Sequence, residues 1–124
     1  MRLLYNSIEQ LVTLAEEKQT AISAVVLADQ AAEMEETEAA LLARMAGDVD
    51  VMEAAARRGL SPALRSPSGL TGGAAARVAA CVEKTGGLCG ERFGKSIATA
   101  LAVSEYNAAM GRIVAAPTAG SCGI

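Results

Sequence analysis

Hydrophobic residues recur at helical spacing from the start of the chain, and the first such segment predicts a helix over residues 7–18. Its apolar side consists of Ile8, Leu11, Val12 and Ala15. Ser7 is followed three residues later by Gln10. This spacing is that of a capping box, with Ser7 as N-cap, which satisfies backbone N–H groups that have no partner inside the helix. The pattern and the cap therefore agree on where the helix begins.

Two more helices are predicted before the first glycine-rich segment. One covers residues 20–35, with Thr20 as its candidate cap, and a long helix follows Thr37. The long helix ends at Arg57-Arg58-Gly59, because cations favour a helix C-terminus and glycine favours the position beyond it. Its apolar stripe, predicted to be core, consists of Leu41, Leu42, Met45, Val49, Met52 and Ala56.

The second half of the chain alternates loops with helices rich in small residues. Residues 59–73 form a loop, 74–84 a helix, and a further helix is predicted over 91–116. That last helix must end before Pro117, which has no N–H group and clashes with the preceding turn. No segment alternates as a strand would. The predicted fold class is all-α, with residues 1–124 as a single domain.

Composition and charge refine this picture. The 27 alanines, with one Phe, two Tyr and no Trp, predict a core of closely approaching small side chains. Residues 1–53 carry 3 basic and 11 acidic side chains, whereas residues 54–124 carry 8 basic and 3 acidic ones. The basic half favours an anionic ligand near its glycine loops, although the charges could also simply solvate outer helix faces. Basic residues interleaved with aromatics do not occur, which argues against nucleic acid as a partner.

Location is constrained by what the sequence lacks. No apolar run reaches the roughly 18 residues that a membrane span needs. Acidic residues Glu9, Glu16 and Glu17 and the absence of a cleavage pattern argue against a secretory signal. Three cysteines cannot all pair within one chain. Together these features predict a cytoplasmic protein without membrane contact.

A glycine-rich segment, Ser68-Gly69-Leu70-Thr71-Gly72-Gly73, directly precedes a predicted helix. The first N–H groups of a helix have no internal partner, and glycine allows close approach, so a carboxylate or phosphate could bind here. Hydroxyls of Ser68 and Thr71 could add donors. From the pattern alone, an ordinary glycine-rich helix entry is the alternative.

The last eighteen residues, from Asn107 to Ile124, contain a Pro-Thr-Ala-Gly-Ser-Cys-Gly sequence. Glycines flank Ser121 and Cys122, so the backbone can bend tightly around a thiol that is a candidate metal ligand or nucleophile. The alternative is that Cys122 is a small apolar residue in a tail.

Other motifs are weaker. The Cys89–Ser96 segment approaches a phosphate-binding loop but has Cys89 where glycine is required. Cys81 and Cys89 lie eight apart, which is not a zinc-ribbon spacing, and the chain has no His, so Ser-His-Asp chemistry is excluded within it. Cys81 is predicted to be core and Cys89 a free thiol, with cluster ligation a minor alternative for each.

Ser66–Gly73 and Asn107–Ile124 resemble, in this order, the two marker stretches of the alpha chain of iron–sulfur-dependent L-serine dehydratases. The resemblance implies conversion of L-serine to pyruvate and ammonia. It implies a [4Fe–4S] cluster held by three cysteine thiolates, Cys122 among them, with the open iron acting as a Lewis acid on the substrate hydroxyl. The one departure is Ala74, where the family usually has an acidic residue.

The resemblance also assigns binding roles. The substrate carboxylate is expected at the glycine-rich loop; the positions are Ser68, Gly69, Thr71, Gly72 and Gly73. Asn107 could hydrogen-bond the substrate, or it could be a helix-surface amide. The general base is not assigned. A serine dehydratase beta chain is the expected partner.

Because only Cys122 matches the cluster signature, the 124 residues are expected to be an N-terminal fragment of the alpha chain and inactive alone. Two alternatives stay open. One is a non-catalytic helical fragment or interaction module, and the other is a related cysteine-desulfidase-type lyase that would share the cluster.

Overall fold

The computed structural model describes residues 5–115, which contain five helices and no strand. The all-α prediction is confirmed for this part of the chain. None of these helices is both long enough and apolar enough to cross a membrane. The helices are α1 (Ile8–Glu17), α2 (Ile22–Met34), α3 (Glu38–Gly59), α4 (Ala74–Thr85) and α5 (Glu91–Ala108).

The chain divides into two compact units, Met1–Gly47 and Asp48–Ile124, and α3 runs through the division. In the first unit α1 packs against α2. The buried apolar side chains of this unit include Ala15 and Val25. In the second unit α4 packs against α5. The division into compact units does not show whether residues 1–124 fold as one domain. The single domain predicted from the sequence therefore stays a prediction.

Side-chain caps explain where α1 and α3 begin. Ser7 Oγ accepts a hydrogen bond from Gln10 N at 3.2 Å, as the capping box predicts. Thr37 Oγ1 likewise accepts from Ala40 N at 3.1 Å and caps α3. The prediction that Thr20 caps α2 is wrong. Its N–H instead donates to the Ala15 carbonyl and closes α1, and Ala21 is the N-cap of α2.

Glycine and alanine set the close approach of helices in the second unit. A Cβ on Gly94 of α5 would lie 2.6 Å from Val82 Cγ2 of α4, and a Cβ on Gly59 of α3 would lie 1.9 Å from the Ala102 carbonyl oxygen of α5. Ala102 is fully buried. The predicted core of small residues is therefore confirmed in this unit, because larger side chains at these contacts would separate the helices.

The last helix is shorter than predicted, since α5 ends at Ala108 and not at residue 116. Met110 adopts φ +66°, and Gly111 N donates to the Tyr106 carbonyl at 2.8 Å. Met110 N donates to the Asn107 carbonyl at 3.0 Å. These two bonds form a Schellman motif, which ends a helix with one left-handed residue. Methionine holds the position where glycine is usual, so the sequence did not signal this end.

The stripe of α3 is mostly not core, contrary to prediction. Leu42, Met45, Val49 and Met52 are 44–59% exposed, whereas Leu41 is 5% exposed. Periodicity identifies an apolar face but does not say whether this chain covers it. Ala55 is also buried, although it is not a member of the predicted stripe.

Two glycines of α3 provide a matched test of the packing. We expect Gly59→Ala to lower the free energy of unfolding by about 1–3 kcal/mol, because its Cβ would meet the Ala102 backbone. Gly47 has nothing within 4 Å of an added Cβ, so Gly47→Ala should raise stability by up to about 1 kcal/mol through helix propensity. Urea unfolding measures both. Equal effects of the two substitutions would contradict the close contact of α3 with α5.

Candidate functional site

The glycine-rich segment folds back on itself through its own hydrogen bonds. Ser66 N donates to the Thr71 carbonyl at 2.8 Å, and Thr71 N donates to Ser66 Oγ at 3.1 Å. Ser66 Oγ and Ser68 Oγ lie 3.1 Å apart. Ser68 and Thr71, two of the predicted binding residues, are exposed. The segment therefore presents these side chains to solvent on a backbone that is already ordered.

The two glycines at the exit of this loop occupy positions that other residues could not. Gly72 and Gly73 have φ of +139° and +81°. A Cβ on Gly72 would lie 2.1 Å from the Leu64 carbonyl oxygen, and one on Gly73 would lie 2.8 Å from Arg65 Nη1. Close backbone packing, together with positive φ, explains the glycine pair. Gly69, at the tip of the loop, also has positive φ but open space around it.

A buried carboxylate closes the start of α4. Glu105 of α5 is 6% exposed. Its Oε1 accepts from Ala74 N at 2.9 Å, and its Oε2 accepts from Ala75 N at 3.2 Å. Both N–H groups lack partners within α4, and a negative charge favours a helix N-terminus. Sequence reasoning missed this residue, because the contact joins positions about thirty apart and no local pattern marks it.

Glu105 alters the prediction for anion binding at this helix. Two N–H groups that the sequence offered to a ligand already have a carboxylate partner within the chain. Ala74 has no side-chain carboxylate of its own, and Glu105 brings one to this helix terminus from α5. Within the loop, the Gly69, Leu70 and Thr71 N–H groups also donate to Ser66 or Ser68. The exposed hydroxyls of Ser68 and Thr71 remain at the loop surface.

Asn107 is exposed near the C-terminal end of α5, two residues beyond Glu105. Between them, Tyr106 accepts a hydrogen bond from the Arg58 guanidinium at 2.9 Å, and this bond raises the pKa of Arg58 above its ordinary value. The end of α5 therefore contacts both the end of α3 and the start of α4. Through Glu105, the helix that follows the glycine-rich loop is bonded to the helix whose end carries Asn107.

Comparison with known proteins gives the family. The sequence model of the serine dehydratase alpha chain matches residues 17–124, which include both stretches. This chain belongs to the serine dehydratase alpha-chain family. No solved structure matches it significantly.

Two curated relatives of this alpha-chain family member share its sequence along nearly its whole length. It is 36% identical over 121 residues to the probable L-serine dehydratase, alpha chain, of Bacillus subtilis (strain 168), covering 98% of this chain and 40% of that protein. It is 31% identical over 121 residues to the L-serine dehydratase, alpha chain, of Peptoniphilus asaccharolyticus, covering 98% and 41%. The chain thus spans about two-fifths of the length of these relatives.

The described residues of this family member do not supply a metal site. Within 5–115 no group of three or more His, Cys, Asp or Glu side chains is placed to hold a metal ion. Cys81 is exposed on α4, so its prediction as a core residue is wrong, and Cys89 is an exposed free thiol as predicted. Cys122 lies outside the described residues, as do Pro117 and the glycines around the thiol. Its prediction as a cluster ligand is untested.

The glycine loop gives a paired stability test. We expect Gly72→Ala to destabilise the protein by about 2–3 kcal/mol, from strained backbone and from a clash with the Leu64 carbonyl. Gly69→Ala should destabilise the protein by only about 1 kcal/mol. Its Cβ would meet no neighbouring atom, so the positive φ is the only source of strain. Thermal and urea unfolding of both variants measure the difference. A Gly69 variant as unstable as the Gly72 variant would contradict the packing of the loop exit.

Proposed function

We propose that this chain contributes the serine-binding part of an L-serine ammonia-lyase that produces pyruvate and ammonia. The observation that carries the proposal is the match of the alpha-chain family model to residues 17–124, which include both stretches. Relatives named L-serine dehydratase support the substrate. Because the chain covers about two-fifths of these relatives, the activity is proposed for the complete enzyme and not for these 124 residues alone.

The binding roles follow from which loop groups face solvent. In this proposal the Ser68 and Thr71 hydroxyls, with the Gly72 and Gly73 N–H groups, hold the carboxylate of L-serine. The Gly69, Leu70 and Thr71 N–H groups keep their hydrogen bonds within the loop. The exposed Asn107 side chain donates or accepts a further hydrogen bond. In this proposal these contacts hold the carboxylate equally well in the ground state and the transition state, so they contribute to substrate affinity.

A [4Fe–4S] cluster is the proposed cofactor, with Cys122 as one thiolate ligand. When bound, such a cluster would supply a Lewis-acidic iron for the substrate hydroxyl. Cys81 and Cys89 are exposed and belong to no group of three or more candidate metal ligands among the described residues. In this proposal the other two thiolates come from outside those residues.

The partner in this proposal is a beta chain. Both relatives are named as alpha chains, which implies a second type of chain in those enzymes. The same assembly is proposed for this protein, in the cytoplasm.

The test is anaerobic reconstitution of the complete alpha chain and its beta chain with iron and sulfide. The proposal predicts a brown protein whose spectrum changes with L-serine and which forms pyruvate. L-Cysteine should be a much poorer substrate; a preference for cysteine would indicate a desulfidase-type lyase instead. A colourless protein that stays helical and forms no pyruvate would contradict the proposal and favour a non-catalytic module.

A pair of cysteine variants tests the ligand assignment. In the complete enzyme, Cys122→Ala should abolish cluster retention and activity, because a thiolate ligand is lost. Cys81→Ala should retain the cluster, because Cys81 is an exposed thiol on α4. Iron and sulfide content per protein and pyruvate formation measure both. If the two variants exchanged these outcomes, the assignment of Cys122 would be wrong.

A further inference from the structure

The exit of the Ser68–Gly73 loop is fixed by a side chain from another helix. Glu105 is 6% exposed and uses both carboxylate oxygens, one on Ala74 N and one on Ala75 N. A buried carboxylate is costly unless its oxygens accept hydrogen bonds. The Glu105 carboxylate and the first two amides of α4 therefore stabilise each other. If the loop exit moved away from α5, both would lose their hydrogen-bond partners.

The same contact determines where Asn107 lies. Asn107 follows Glu105 by two residues in a continuous helix. Since a helix is stiff over so short a distance, fixing Glu105 to α4 also fixes the Asn107 backbone relative to Gly72 and Gly73. The neighbouring Tyr106 hydroxyl, bonded to Arg58, restrains the rotation of α5 about its axis.

We propose that Glu105 is a positioning residue: it holds the Ser68–Gly73 loop and the Asn107 end of α5 in one fixed arrangement, and so sets the affinity for the substrate carboxylate without contacting the substrate. The inference rests on the proposed function of this loop. It also states where the substrate carboxylate does not bind. The Ala74 and Ala75 amides remain with Glu105, and the loop groups that precede them receive the ligand.

The kinetic signature follows from the position of the contact. The substrate carboxylate keeps its charge and its place while the bond to the hydroxyl breaks. Contacts to it are therefore equally strong in the ground state and the transition state, and loosening them changes KM with little change in kcat. A residue that served only the stability of the fold would instead reduce the fraction of active protein, which lowers apparent kcat at constant KM.

The experiment uses the complete alpha chain assembled with its beta chain. Glu105→Ala removes both acceptors. We expect KM for L-serine to rise about tenfold, which corresponds to a loss of about 1.4 kcal/mol in binding free energy, with kcat changed less than about threefold. Amide hydrogen exchange followed by mass spectrometry should show faster exchange in peptides that contain residues 72–75. Iron content should stay at the wild-type level.

Two further variants make the result specific. Glu105→Gln keeps the shape and one acceptor oxygen, so its KM should lie between those of wild type and Glu105→Ala. If the alanine variant does not fold, the KM of Glu105→Gln tests the positioning role by itself. Glu83→Gln removes the same charge from the exposed side of α4 and should leave KM and exchange unchanged. An unchanged KM in the foldable Glu105 variants, or a fall in kcat larger than the rise in KM, would overturn the inference.

Failure of the proposed function would look different. In that case the wild-type assembly would not form pyruvate from L-serine at all, whatever residue stands at 105. Faster exchange at residues 72–75 in the Glu105 variants would then still confirm the contact itself. An active wild-type enzyme with a Glu105→Ala variant of normal KM would instead reject the positioning role and keep the function.

Discussion

The arrangement of the second unit depends on one buried carboxylate. Glu105 bonds to the first two amides of α4 and thereby connects the start of that helix to the end of α5. Hydrogen bonds to a charged group are worth about 1.5–3 kcal/mol each, more than those between neutral groups. Because this carboxylate is buried, the alternative to these bonds is an unsatisfied charge. The loop before α4 is consequently held at its exit by an interaction that tolerates little displacement.

Small residues make this arrangement possible. Gly59 of α3 lies against the Ala102 carbonyl of α5, and Gly94 of α5 lies against the Val82 side chain of α4. At these two contacts α5 is therefore closer to both helices than larger side chains would allow. At such separations the Glu105 carboxylate reaches the amides of α4 directly. The small residues therefore have a structural consequence, since they bring Glu105 within hydrogen-bond distance of Ala74 and Ala75, about thirty positions earlier in the sequence.

Sequence reasoning predicted the local features well and the distant ones poorly. Caps at Ser7 and Thr37 and the helix ending at Arg58-Gly59 were predicted correctly, because each depends on residues within one turn. The end of α5 was missed, because Met110 occupies a left-handed position that glycine usually holds. At the candidate site, the glycine pair could be predicted as a close approach, but Glu105 could not, since its partners are backbone amides that carry no residue-specific signal.

The exposed stripe of α3 is another feature that local sequence patterns predicted incorrectly. Its periodicity predicted an apolar face, yet Met45 and Met52 are exposed because no described residue covers them. Burial is a property of the whole assembly, whereas periodicity is a property of one helix. The chain spans about two-fifths of its relatives' length.

The central claim is that the loop before α4 binds the substrate carboxylate while Glu105 retains the amides of that helix. A structure of the complete enzyme with L-serine or an unreactive analogue bound would test it most directly. The account predicts the ligand carboxylate within hydrogen-bond distance of Ser68, Thr71 or the loop amides, with Glu105 still on Ala74 and Ala75. A ligand carboxylate bound elsewhere, or one that has displaced Glu105 from the start of α4, would contradict it.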